Sequence, residues 1–93
     1  MSHLNKVLLI GKVTRKPQLA TVAGAPRADM LVQTSYPNGD SDVHEIEISG
    51  PLAETCAEHL DVGRLVYVEG TLHGTDNRGF VRANHVHFLR RPE

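Results

Sequence analysis

Three groups of side chains in this 93-residue chain could do chemistry. Arg78 and Arg82 bracket Phe80, and by the period-two rule of a strand Phe80 and Arg82 share a face. A ring flanked by two guanidiniums can stack a planar group and draw an anion, the two things a single-stranded nucleic acid offers. The plainer alternative is a core Phe among solvated charges. Lys12, Arg15 and Lys16 form a second cationic cluster, again either a track for anions or ordinary surface. Against them stand Glu45 and Glu47, two apart and so on one face of a strand. Two carboxylates in a phosphate groove would repel phosphates and hold the counterions that binding should release.

Other constellations carry less. Of six histidines, His85 and His87 share a strand face, His73 lies one strand away, and Cys56 with His59 has i, i+3 spacing. A zinc site wants four converging ligands in paired short spacings. These pairs fall on different elements with no second cysteine, so neither metal nor other cofactor is expected. No nucleophile–base pair, phosphate loop or carboxylate dyad is present, and an enzyme is not expected.

The elements that must position these residues can be read from patterning. Val7-Leu8-Leu9-Ile10-Gly11 opens a first strand that continues to Thr14, and Lys16-Pro17 predicts a turn. Thr21 to Pro26 reads as a small-residue loop. Residues Arg27 to Thr34 alternate, with Ala28, Met30 and Val32 on one face, as a half-buried second strand. Asn38-Gly39 is the strongest turn signal, because the pair suits positive φ. Val43 to Ser49 is a third strand with His44, Ile46 and Ile48 on one face and Val43, Glu45, Glu47 and Ser49 on the other. Pro51, at the first helical position, starts a helix that runs to Leu60. Leu65 to His73 is a fourth strand, Gly74 to Gly79 a tight loop, and Phe80 to Leu89 a fifth strand before a short charged end. The order β-β-β-α-β-β predicts an all-β fold with one short helix between strands three and four. That is a five-stranded OB-fold barrel, as a single domain over 1–93.

Ninety-three residues bury only roughly two-thirds of the surface exposed on unfolding, so self-association is a natural way to bury more. Formal charge is −1, a total that can conceal a basic stripe. No apolar run approaches the roughly 18 residues of a membrane span, so no membrane partner is expected. The N-terminal apolar run is too short for a signal peptide. A single cysteine, Cys56, excludes an internal disulfide framework and suits a cytoplasmic chain with a core thiol.

Several blocks then carry a resemblance: Asn5-Lys6-Val7-Leu8-Leu9-Ile10-Gly11, Pro17-x-Leu19, Gly50-x-Leu52-Ala53-Glu54, Val66-Tyr67-Val68-Glu69-Gly70 and Ala83-x-x-Val86-x-Phe88-Leu89. Taken in order and over nearly the whole chain, they resemble the bacterial single-stranded DNA-binding protein (SSB) family. The resemblance implies an OB-fold, a homotetramer or homodimer, and sequence-independent binding of single-stranded DNA in replication, recombination and repair, in the cytoplasm at the nucleoid. The chain departs from the family's pattern in four ways. The loop Ser35 to Asp42 and the hairpin between strands four and five are short. The acidic, Phe-ending tail is absent, since the chain stops at Glu93, so tail-mediated recruitment of partners is not expected. The family's stacking aromatics are also missing, with Val43 where it carries Trp and Ser49 where it carries Phe.

These departures predict weak, salt-dependent binding through Lys12, Arg15, Lys16, Arg78, Phe80 and Arg82. Tyr36 joins them because it sits near where the family keeps another aromatic. The resemblance puts His44 at a subunit contact, although a satisfied core His fits the position equally. Leu65 and Tyr67 point outward if Val66 and Val68 fill the barrel, and the family uses this strand for subunit contact. Two other readings stay open. One resembles the short, dimeric OB proteins of the primosomal replication protein N type; the other is an OB interaction module that has lost DNA binding.

Overall fold

The computed structural model describes residues 3–75 and 78–89. Five strands and one helix follow each other as β1 (Val7–Val22), β2 (Ala25–Ser35), β3 (Ser41–Ser49), α1 (Pro51–His59), β4 (Leu65–Thr75) and β5 (Arg78–Phe88). The strands close a barrel in the order β1-β2-β3-β5-β4. All neighbours run antiparallel except β3 and β5, which are parallel and pair over Ile46–Ile48 and Val81–Ala83. The expected all-β barrel with its helix between the third and fourth strands is the fold observed.

Alternation explains the core. Val13, Met30, Val32, Ile46, Ile48, Val66 and Val68 point inward and are fully buried. The helix begins at Pro51, whose missing N–H costs nothing in the first turn. It buries Ala53 and Cys56, and with Leu60 these join the same core. Burial pushes the Cys56 thiol up to about 11. Asn5 ties the N-terminal segment to β4 by accepting from the Leu72 N–H and donating to its carbonyl, both at 2.8 Å.

Three local expectations are corrected. Lys16-Pro17 is not a turn: β1 runs through it to Val22, with register shifts between Val13 and Arg15 and between Arg15 and Gln18. Arg15 pairs Leu31 and Gln18 pairs Asp29, so Lys16 and Pro17 together oppose Met30 alone. Such a bulge asks no ladder hydrogen bond of the proline, and it bends one strand between two neighbours. The loop expected over Thr21 to Pro26 is a two-residue hairpin. Ala23 (φ 51) and Gly24 (φ 81) have the paired positive φ of the tight turns that match strand twist. Boundaries shift as well: β2 starts at Ala25, β3 at Ser41 and β5 at Arg78, β4 runs on to Thr75, β5 stops at Phe88, and the helix stops at His59 with Leu60 extended as its cap. Asp76 and Asn77 of the expected loop, and the charged end from 90 to 93, lie outside the described residues.

Candidate nucleic-acid interface

Because Ile46 and Ile48 fill the barrel, Glu45 and Glu47 project from its outer surface. The parallel pairing sets Arg82 of β5 directly beside Glu47, and the antiparallel pairing sets Asp29 of β2 on its other side. The result is a lattice of ion pairs. Arg78 donates from Nε and Nη2 to Oε2 of Glu45, at 3.0 and 2.6 Å. Arg82 donates from Nε to Oε1 of Glu47 at 3.2 Å, and Arg27 Nη2 lies 3.1 Å from Oε2 of the same carboxylate. Glu47 is only 7 % exposed, which is tolerable for a carboxylate because a guanidinium meets each oxygen.

Phe80 stands among these charges. Arg82 lies over its ring at 5.8 Å from the centroid, and His73 stacks on it at 5.7 Å. Arg27, Glu45, Glu47, Arg78, Phe80 and Arg82 together line an open cavity of about 530 Å³. Of the candidates read from sequence, the structure thus brings Arg78, Phe80 and Arg82 together. Glu45 and Glu47, expected on one strand face, also line that cavity, but they are not bare negative charges: among the described residues three guanidiniums and two carboxylates line it, a balance of +1.

The other candidates are dispersed. Arg15, Leu31 and Glu45 fall on one row across β1, β2 and β3, so Arg15 lies two strand spacings, about 10 Å, from Glu45. Lys12 lies on the neighbouring row with Gln33 and Val43. Lys16 is 3.5 Å from Asp61, just beyond the helix, in an exposed pair. Tyr36 sits in the hairpin between β2 and β3, apart from the cavity, with its hydroxyl donating to the Asp42 carboxylate. That bond and the Asp42 charge push the phenol's pKa up.

Arg27 and His73 are the participants that sequence reasoning missed. Arg27 was visible as an outward residue of the second strand, but nothing local linked it to Glu47.

Leu65 and Tyr67 face outward on β4, both half-buried. Tyr67 pairs with Ile10 of β1 and His87 of β5, and Leu65 pairs with Lys12. Ile10 and Leu8, on this same surface, are 60 % and 55 % exposed. Tyr67 donates to Glu69 at 3.3 Å, and Lys6, 3.1 Å from Glu69, holds that carboxyl below its ordinary value. His44 is elsewhere: it lies on the inward side of β3, half-buried, with Nε2 2.8 Å from the Thr34 hydroxyl. The Nε2 atoms of His85 and His87 approach to 2.5 Å. Among the described residues no three His, Cys, Asp or Glu side chains are grouped to hold a metal, and no helix is long and apolar enough to cross a membrane.

Comparison with known proteins adds an independent line. The family model described as the single-strand binding protein family matches residues 4–87. Single-stranded DNA-binding protein 1 of Chlorobaculum tepidum is 36% identical over 78 residues, covering 74% of this chain and 48% of that protein. The single-stranded DNA-binding protein of Thermotoga maritima is 35% identical over 81 residues, covering 77% and 57%. The chain therefore spans about half the length of the curated relatives it matches. Among solved structures, the SSB domain of a Synechococcus protein superposes with a TM-score of 0.83 at 23% identity, covering 94% of this chain and 98% of that one. At that identity the likeness speaks for the barrel alone.

Proposed function

The chain belongs to the single-strand binding protein family, and from that premise we propose that it binds single-stranded DNA through the outer face of β2, β3 and β5. One observation carries the reading: Phe80 and three guanidiniums line a single cavity. That cavity lies on the β2–β3 surface, where OB barrels take oligonucleotides. Phe80 is the stacking platform, where a base takes the place of the Arg82 guanidinium or the His73 ring now against it. Arg78 and Arg82 are the phosphate partners, and Lys12 and Arg15 are more distant cations on β1. The role is binding, without catalysis, in replication, recombination or repair in the cytoplasm.

Binding of this kind is weak and salt-sensitive. One aromatic supplies about 1–3 kcal/mol of stacking, and each phosphate contact contributes about −0.7 to the slope of log K on log salt. Arg82 must also trade Glu47 for phosphate, which lowers the net gain, while Arg78 keeps Glu45 through Nε and Nη2 and meets phosphate with its remaining nitrogen. An interaction module built on an acidic face finds less support, because Glu45 and Glu47 are each engaged by a guanidinium.

Self-association completes the reading. Leu8, Ile10, Leu65 and Tyr67 form an outward apolar surface on β1 and β4, suited to a second copy of the chain. Mass in solution separates the dimer of the primosomal type from a tetramer. Fluorescence anisotropy with a labelled oligo-dT at low and moderate salt tests the DNA reading, with the Arg78→Ala/Arg82→Ala variant beside wild type. Binding that weakens with salt and falls in the variant is expected. No binding even at low salt overturns it.

A further inference from the structure

The two carboxylates of the cavity are not equivalent. Glu47 has both oxygens engaged, one by Arg82 and one by Arg27, and its side chain is 9% exposed. It is a brace. Glu45 is different, because Arg78 takes only Oε2, from two nitrogens. Among the described residues Oε1 receives no hydrogen bond, and the side chain is 28% exposed, within reach of a ligand in the cavity. Arg78 holds the carboxylate at Oε2 from two nitrogens, which leaves its second oxygen as an acceptor in the cavity that Phe80 also lines.

We infer that this site distinguishes bases, favouring those with an exocyclic amine over thymine, and that Glu45 makes the distinction. The inference rests on the single-stranded DNA reading above. A base stacked on Phe80 turns its edge towards the charged residues that line the cavity with it. Cytosine carries the N4 amine, a donor that a carboxylate accepts well. Thymine carries a carbonyl oxygen at that place, and on its pairing edge two carbonyls flank a single N–H, so a fixed carboxylate meets mostly repulsion. A groove built only from aromatic rings would not discriminate in this way, since every base has a π-face. Cytosine against thymine is the clean comparison, because the two rings are the same size.

The test is anisotropy with short oligo-dC and oligo-dT of equal length, at pH 7.5 and one low salt concentration, for wild type and Glu45→Gln. For wild type, oligo-dC is expected to bind about fivefold tighter, the low end for a specific carboxylate–amine contact. In Glu45→Gln the ratio falls to about one, while oligo-dT gains affinity. The amide donates to a thymine carbonyl, and Arg78, no longer facing a carboxylate, draws phosphate more strongly. Circular dichroism checks that the variant is folded, and the wild-type ratio stands without it. A wild-type ratio near one, a preference for oligo-dT, or a ratio unchanged in Glu45→Gln overturns the inference and leaves the DNA reading intact. Failure of both oligonucleotides to bind overturns the DNA reading, and the inference with it.

Discussion

Replacing Arg82 with alanine should lower stability by about 1–2 kcal/mol, and the reason lies in Glu47. This carboxylate is nearly buried, and among the described residues two guanidiniums meet its charge. Breaking a fully buried pair typically costs about 3–5 kcal/mol, because it strands a charge away from water. Arg82 and Arg27 are themselves 50% and 39% exposed, so solvent screens each contact and the cost of losing one is less. The loss of both should bring the full figure of about 3–5 kcal/mol for Arg27→Ala/Arg82→Ala, more than the two single effects added. At roughly 4–8 °C per kcal/mol for a domain of this size, the single variant melts about 4–16 °C lower. Urea unfolding followed by circular dichroism measures this, since the chain has no Trp to report by fluorescence. Adding Glu47→Gln to the double variant removes the stranded charge and should restore part of the loss. A double variant that loses under about 1 kcal/mol would refute the reasoning, since that is the scale of solvated surface pairs.

Other perturbations have equally definite outcomes. A Cβ on Gly70 would run into the Arg82 carbonyl oxygen and the Ala83 Cα, both backbone. Gly70→Ala should therefore cost at least about 1–3 kcal/mol, read as a lower urea midpoint. The Cys56 thiol is raised from 9.0 to about 11 by burial. The folded state thus holds its proton where the unfolded chain has lost it, and stability contributed below pH 9 is lost as pH rises to 11. Urea midpoints across that range, compared with Cys56→Ala, check the sign, and a thiol reagent at pH 8 should react slowly until urea unfolds the chain. Ile10→Asp places a charge in the outward apolar surface of β1 and β4, and light scattering should show a smaller mass than wild type if that surface joins copies.

The strands were legible because alternation and turn residues are local signals. Ala28, Met30 and Val32 named the buried face of β2, and Ile46 and Ile48 that of β3. The Lys16-Pro17 bulge was not legible, because a proline that ends one strand and a proline that bends a long one look alike until the partner strand is known. The site divides in the same way. Arg78, Phe80 and Arg82 could be grouped by their spacing along one strand. Their pairing with Glu45 and Glu47 depends on β3 lying parallel to β5, a contact between residues more than thirty apart that no periodicity encodes. Two carboxylates read as repulsive in sequence are, in the fold, the partners that hold the guanidiniums in place.

In the proposed interface, the face of β2, β3 and β5 takes single-stranded DNA through its guanidiniums. The most direct test is the slope of log K against log salt for a short oligonucleotide, measured for wild type and Arg78→Ala/Arg82→Ala. Wild type should bind at low salt with a clear negative slope, and the variant should lose affinity while its slope becomes shallower by about 1.4, two phosphate contacts at about 0.7 each. An unchanged slope, or no binding by wild type at low salt, would rule this interface out.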